Sequence, residues 1–153
     1  GMTVKHVVYF MYSPIPSRSA DTIHAMKMCQ ALQQEGYQAT LCAPLIPGED
    51  ASPQALWHWY GVQTPFQVKL FPRFPGLRRY DVALRGVRYA GSLSDVVVLS
   101  RFPLASMIAG KLRIPTIVET HDRPPSGMGE RYLRWSFQQP GFRRLCVITQ
   151  PLR

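Results

Sequence analysis

The apolar positions of the chain fall into short dense runs, separated by longer segments with helical spacing. The first run, Val4-Lys-His-Val-Val-Tyr-Phe-Met-Tyr12, is almost continuously apolar, β-branched and aromatic. That is the composition of a strand buried on both faces, and such strands belong to parallel sheets. Ser13-Pro-Ile-Pro-Ser-Arg-Ser19 follows, with prolines and serines that make it a loop. From there to Gly36, the residues Ile23, Met26, Cys29 and Leu32 recur at three-residue steps, with Ala25 and Met28 widening the stripe, so a helix is predicted with that face buried. Ser19 suits its N-cap, Asp21 its first turn and Gly36 its C′ position.

The same reasoning carries along the chain. Residues 37–43 read as a second strand, closed by Pro44, and 54–60 as a short helix stopped by Gly61. Residues 66–71 alternate and form a third strand, and 72–76 break the chain. A helix is predicted over 77–90, with Leu77, Leu84 and Val87 on one side and its arginines elsewhere. Residues 95–101 are the clearest buried strand. A helix over 103–112, a strand over 116–120, a loop over 121–129, a helix over 130–138 and a strand over 144–149 complete the pattern. Strands alternating with helices imply an α/β fold, a parallel sheet with helices on both faces. Right-handed crossovers make it a Rossmann-like, doubly wound single domain over residues 2–153. Gly1 before Met2 is left out of this reading. The pattern stops just after a strand, where a further helix would follow, so a longer protein is expected.

Composition adds little to the fold but narrows the partners. At 153 residues, 46% hydrophobic and 18% charged, the chain has the make-up of an ordinary globular domain. No apolar run approaches the roughly 20 residues that span a bilayer. Residues 4–12 lack a cleavage region and are not read as a signal peptide. Cys29, Cys42 and Cys146 have no metal-ligand spacing and read as buried thiols of a reducing, cytoplasmic setting. The net charge of +9 favours anionic partners, unless it is the bias of one part of a larger protein. Lys69, Arg73, Arg78, Arg79, Arg85 and Arg88 are interleaved with Phe71, Phe74 and Tyr80. This makes residues 73–88 a candidate for peripheral contact with an anionic membrane. No nucleic-acid reader motif is present, so nucleic acid is not an expected partner.

A parallel sheet gathers the loops that follow its strands along one rim, and three of these loops carry polar groups. Pro16, Ser17, Arg18 and Ser19 precede a helix N-terminus, where hydroxyls and a guanidinium suit an anion; the alternative is a capped turn. The glycines of a dinucleotide fingerprint or a P-loop are missing. Arg101, directly after the Val-rich strand, points into the crevice or into solvent, and its fork of donors suits phosphate or carboxylate. Glu119-Thr-His-Asp122 closes the strand over 116–120. Glu119 and His121 share a side if extension reaches that far, and a carboxylate can orient an imidazole. A structural Glu-His bond is the alternative. Glu119, His121 and Asp122 are metal-ligand types, but no second histidine pattern supports a metal, and none is expected. His6, His24 and His58 read as structural or surface residues.

Four stretches together resemble a known family. They are Ser17-Arg-Ser-Ala-Asp-Thr-Ile-His-Ala-Met-Lys-Met-Cys-Gln-Ala-Leu32 with Gly36-Tyr37, then Val98-Leu-Ser-Arg101, Pro115-Thr-Ile-Val-Glu-Thr-His-Asp122 and Val147-Ile-Thr-Gln-Pro-Leu152. In order and spacing they resemble the N-terminal domain of bacterial family 4 glycosyltransferases of the GT-B fold. The resemblance implies two Rossmann-like domains across a cleft, this one holding the acceptor and a C-terminal partner domain holding the nucleotide-sugar donor. It implies a retaining transfer to a glycan, lipid-linked or small-molecule acceptor, with the nucleotide-sugar as co-substrate and no cofactor or metal. It further implies that residues 16–19 approach the donor phosphate or acceptor. His121 would reach the transferring sugar, Glu119 would support His121, and Arg101 and Asp122 would line the cleft. The first loop departs from the family in lacking paired glycines, and the donor domain is not in this chain, so the chain alone is expected to be inactive. The alternative is a stand-alone Rossmann-like module that binds an anionic ligand without catalysis. On either reading Arg18, Arg101 and His121 should be neighbours.

Overall fold

A computed structural model describes residues 4–71, 78–121 and 126–149. The apolar runs become six strands: β1 His6–Phe10, β2 Gln38–Pro44, β3 Gln67–Phe71, β4 Val96–Ser100, β5 Thr116–His121 and β6 Phe142–Ile148. They alternate with five helices: α1 Ala20–Gln34, α2 Pro53–Tyr60, α3 Arg78–Gly91, α4 Pro103–Lys111 and α5 Met128–Phe137. The strands form one all-parallel sheet in the order β3-β2-β1-β4-β5-β6, the doubly wound arrangement read from the sequence. Among the described residues, no helix is long and apolar enough to cross a membrane.

β1 sits at the centre, and its alternating side chains supply both cores. Tyr9 and Met11, with Leu41 of β2, pack under Ala25, Met26 and Cys29 of α1 and Leu56 of α2. Val8 and Phe10, with Val98 of β4, pack under α3 and α4. Burial of each large apolar side chain contributes about 1.5–3 kcal/mol, so the two cores hold helices to both faces of the sheet. α5 docks on α4, and β6 closes one edge with Leu145 and Val147 exposed.

Helix ends follow their local chemistry. Ser52 caps α2 by accepting from the Ala55 amide at 3.4 Å, and Gly61 stops it in the left-handed region at φ 67°. Ser19 occupies the N-cap position of α1 but makes no side-chain cap bond. Its hydroxyl instead lies 2.9 Å from that of Ser17 and 3.2 Å from that of Thr22. The Thr22 hydroxyl is within reach of the Ser17 and Ser19 carbonyls, at 3.0 and 2.9 Å. This knot turns Thr22 inward, and the buried stripe becomes Thr22, Ala25, Met26 and Cys29. Ile23, predicted to be core, is 37% exposed.

α3 brings a second correction. Leu84 was expected inside, yet it is 56% exposed, and the packed face is Val82, Ala83, Gly86, Val87 and Ala90. The reason is a close approach to β1. A Cβ at position 86 would come within 2.5 Å of Phe10 Cε1, so only glycine lets the helix settle on that ring. Cys146 is also less covered than its apolar setting implied: Cys29 and Cys42 are buried, whereas Cys146 is only partly so.

Candidate functional site

The strand order reverses between β1 and β4, and in open α/β sheets ligands bind outside the carboxyl ends of the strands at such a switch point. There the ends of β1, β4 and β5 enclose a cavity of about 510 Å³. Ser13, Asp21, Arg101, Glu119 and His121 supply its polar wall, and Met11, Pro103, Val118 and Leu133 its apolar wall.

Arg101 is placed by the backbone. Its amide continues the ladder beyond β4 by donating to the Phe10 carbonyl at 3.0 Å. Buried Ser100 accepts from the Phe102 amide at 3.1 Å and from the Ser106 hydroxyl at 2.7 Å, which fixes the turn into α4. β5 stays extended through His121, so Glu119 and His121 do lie on one side of the sheet. Arg101 Nη2 contacts His121 Nε2. A guanidinium can only donate, so Nε2 is the accepting nitrogen and the ring proton sits on Nδ1.

Glu119 does not serve His121. It is 7% exposed, and it accepts from the Tyr9 hydroxyl at 2.6 Å and from His24 Nε2 at 3.3 Å. The physical reason is spacing: residues two apart in a strand are about 6.6 Å apart, too far for a direct bond between side chains that stand parallel. A buried carboxylate needs partners, and the nearest come from β1 and α1. Tyr9 is correspondingly locked as a neutral donor. Burial, then the charge of Glu119 and the bond to it, push the phenol well above its ordinary range, against a smaller opposing effect of Arg101.

Asp21 also faces this cavity, accepting from the Ser13 hydroxyl and from the Thr22 amide, the latter at 3.0 Å. Burial pushes its carboxyl up. The bonds from Ser13 and Ser19, the nearby Arg101 guanidinium and the Thr22 amide outweigh that and hold it below the ordinary value. The sequence had marked Asp21 only as a first-turn acid, His24 as structural or surface, and Tyr9 as strand. A signal did exist: a phenol and a carboxylate, each set in an apolar strand, both require a polar partner.

The loop over residues 16–19 leads elsewhere. Tyr60 clamps it, its oxygen accepting from the Ser17 amide at 2.8 Å and donating to the Ser17 carbonyl at 2.8 Å. Pro16 is buried behind a cis peptide bond from Ile15. The Arg18 guanidinium stacks 4.9 Å from the centre of the Trp59 ring. Ser17 and Arg18 line a separate cavity of about 210 Å³, whose wall also includes Lys27 of α1 and Trp59 of α2. Arg101 and His121 are thus brought together as expected, whereas Arg18 is not their neighbour. The Tyr60 clamp and the pull of the indole face carry it toward α2.

Asp122 lies outside the described residues, as do Arg73 and Phe74 of the basic stretch. Arg85 and Arg88 are exposed; Arg85 pairs with Asp81 at 3.3 Å and lies 5.2 Å from the Phe71 ring centre. Among the described residues, no group of three His, Cys, Asp or Glu side chains is placed to hold a metal ion. Compared with protein-family models, with curated proteins and with solved structures, the chain matches none at a significant level.

Proposed function

We propose that the chain is the N-terminal, acceptor-side half of a retaining glycosyltransferase of the GT-B type. It would move a sugar from a nucleotide-sugar co-substrate to a glycan, lipid-linked or small-molecule acceptor, on the cytoplasmic side of a membrane. The observation that carries this reading is the delivery of Arg101 and His121 into one cavity at the switch point of the sheet.

The roles follow from the donors and acceptors present. With Nε2 engaged by Arg101, His121 has one free donor, Nδ1–H, to offer a sugar hydroxyl or a developing negative charge. Asp21 accepts from hydroxyl groups. Glu119 holds the floor of the cavity through Tyr9 and His24. Asp21 set beside the Arg101 guanidinium and the His121 ring suits a polyhydroxylated ligand better than a bare phosphate, which weighs against a simple anion-binding module. Stabilisation of the departing diphosphate would fall to the chain's own C-terminal domain. The basic stretch of sequence over residues 73–88 would give peripheral membrane contact, electrostatic and salt-sensitive.

The test is the full-length protein against a panel of nucleotide-sugars with His121→Ala beside the wild type. Loss of one preorganised donor is expected to lower turnover by about 10²-fold or more. Turnover within a few-fold of wild type would remove His121 from its role.

A further inference from the structure

The loop over residues 16–19, read from the sequence as suited to an anion, opens on a cavity of its own. That cavity encloses about 210 Å³ beside α1 and α2 and shares no lining residue with the cavity of Arg101 and His121. Ile23 and Met26 of α1, with Val62 after α2, supply apolar surface, and Trp59 and Tyr60 add two rings. Ile23 and Trp59 are 37% and 39% exposed, so this apolar surface is open to a ligand.

The polar groups of the lining divide into those the fold uses and those it leaves over. The Tyr60 oxygen is taken by the Ser17 backbone, and the Ser17 hydroxyl by those of Ser19 and Thr22. Gln30 turns its carboxamide oxygen to the Gln63 and Thr64 amides, at 2.6 and 2.9 Å, which leaves its NH₂ group. Arg18 lies 4.9 Å from the centre of the Trp59 ring, and among the described residues neither Arg18 nor Lys27 has a carboxylate partner. Asp21 and Glu119 are engaged in the other cavity, and no acid lines this one. The groups left over are therefore all donors, and two of them are charged.

A ligand that matches this set accepts hydrogen bonds, carries negative charge and buries an apolar body. A bare inorganic anion leaves Ile23, Met26 and Trp59 unmatched, and a neutral ring leaves Arg18 and Lys27 unmatched. The guanidinium fork favours a planar carboxylate. The volume is below the roughly 300–1,000 Å³ of sites for drug-sized ligands, which limits the body to about one ring.

We propose that the cavity between α1 and α2 is a second binding site, taking a small aromatic carboxylate with its ring on the apolar surface and its charge between Arg18 and Lys27. The site is independent of the transferase reading.

The experiment titrates the chain with sodium benzoate and follows the indole N–H signal of Trp59, assigned by its loss in Trp59→Phe. Benzoate is expected to saturate that signal with a Kd of about 1 mM or tighter. Acetate has the charge without the ring and benzyl alcohol the ring without the charge, and each should bind about tenfold more weakly. Arg18→Gln and Lys27→Gln, both at exposed positions that leave the cores intact, should each weaken benzoate about threefold and together about tenfold, with benzyl alcohol unchanged. Arg101→Gln should leave benzoate binding as it is. No saturation by benzoate, equal affinity for either control, or benzoate binding that survives the double substitution would overturn the proposal. So would loss of binding in Arg101→Gln, which would seat the anion at the switch point of the sheet. A full-length protein inactive toward every nucleotide-sugar, with benzoate binding intact, would count against transfer and leave this site standing.

Discussion

Replacing Tyr9 with Phe removes one oxygen from the middle of the sheet and nothing else. Tyr9 is fully buried, and its hydroxyl lies 2.6 Å from Glu119, itself 7% exposed. The ring volume is kept, so almost no cavity forms. What is lost is the shorter of the two bonds to a buried carboxylate; the other, from His24, is 3.3 Å long. A hydrogen bond to a charged group is worth about 1.5–3 kcal/mol, so Tyr9→Phe should cost about 2 kcal/mol. Urea unfolding followed by tryptophan fluorescence measures this, with the slope in urea unchanged. The double variant Tyr9→Phe with Glu119→Gln isolates the pair, and its coupling should be about 1 kcal/mol or more. A pH arm checks the same contact. The folded-state pKa of Tyr9 lies above its ordinary value of 10.0, so folding keeps the proton on. The stability this confers is whole below pH 10.0 and is lost as pH rises beyond it, in the wild type but not in Tyr9→Phe. A cost below about 0.5 kcal/mol, or effects of the two substitutions that simply add, would refute a buried Tyr9–Glu119 bond.

Gly86→Ala should destabilise by about 1–3 kcal/mol in the same urea assay, because the added methyl overpacks against buried Phe10; a neutral result would mean α3 does not sit where the contact requires. Burial pushes the Cys29 thiol up and the Cys42 thiol up to about 12. A maleimide at pH 7.5 should therefore modify Cys146 first and leave the other two intact until the chain unfolds, as read by mass spectrometry of the native and denatured protein. Asp21 has a folded pKa below its ordinary 3.8, so its contribution to stability is present above that pH and fades as pH falls through the folded value. The stability gap between wild type and Asp21→Asn should accordingly be wider at pH 6 than at pH 3, and a gap that does not change would show that Ser13 and Arg101 do not hold the carboxylate.

The strands were legible because a strand buried on both faces has to be a dense apolar run, and β1, β4 and β5 are such runs. Helix faces were harder. A stripe of large apolar residues placed Ile23 and Leu84 inside, but α3 chose Ala83, Gly86 and Ala90 because small residues let it come close to Phe10. Size complementarity between elements far apart in sequence has no local signature. The same division runs through the site. Arg101 and His121 could be paired from the sequence because each sits at the end of a strand, and parallel strands bring their ends to one rim. The bond from His24 to Glu119 could not, because it depends on how α1 packs on the sheet. Arg18 was misplaced for a related reason: Tyr60 and Trp59 of α2 fix the direction of its loop, and nothing near Arg18 in the sequence announces them.

The pairing of Glu119 with Tyr9 and His24 changes what this carboxylate does. It ties three elements together, β5 through itself, β1 through Tyr9 and α1 through His24. Asp21 lies three residues before His24 on α1, hence on the same side of that helix, one turn nearer the cavity mouth. Holding His24 down on β5 therefore also sets Asp21 over the space that Arg101 and His121 enter. The polar groups then form two tiers. The lower one, Tyr9, Glu119 and His24, is closed by its own bonds and fixes geometry; the upper one, Asp21, Arg101 and His121, keeps donors and acceptors available to a ligand. Glu119 is on this argument a positioning residue, and its loss should disturb the upper tier through the tilt of α1, while loss of His121 removes a donor from the cavity and leaves the fold as it is.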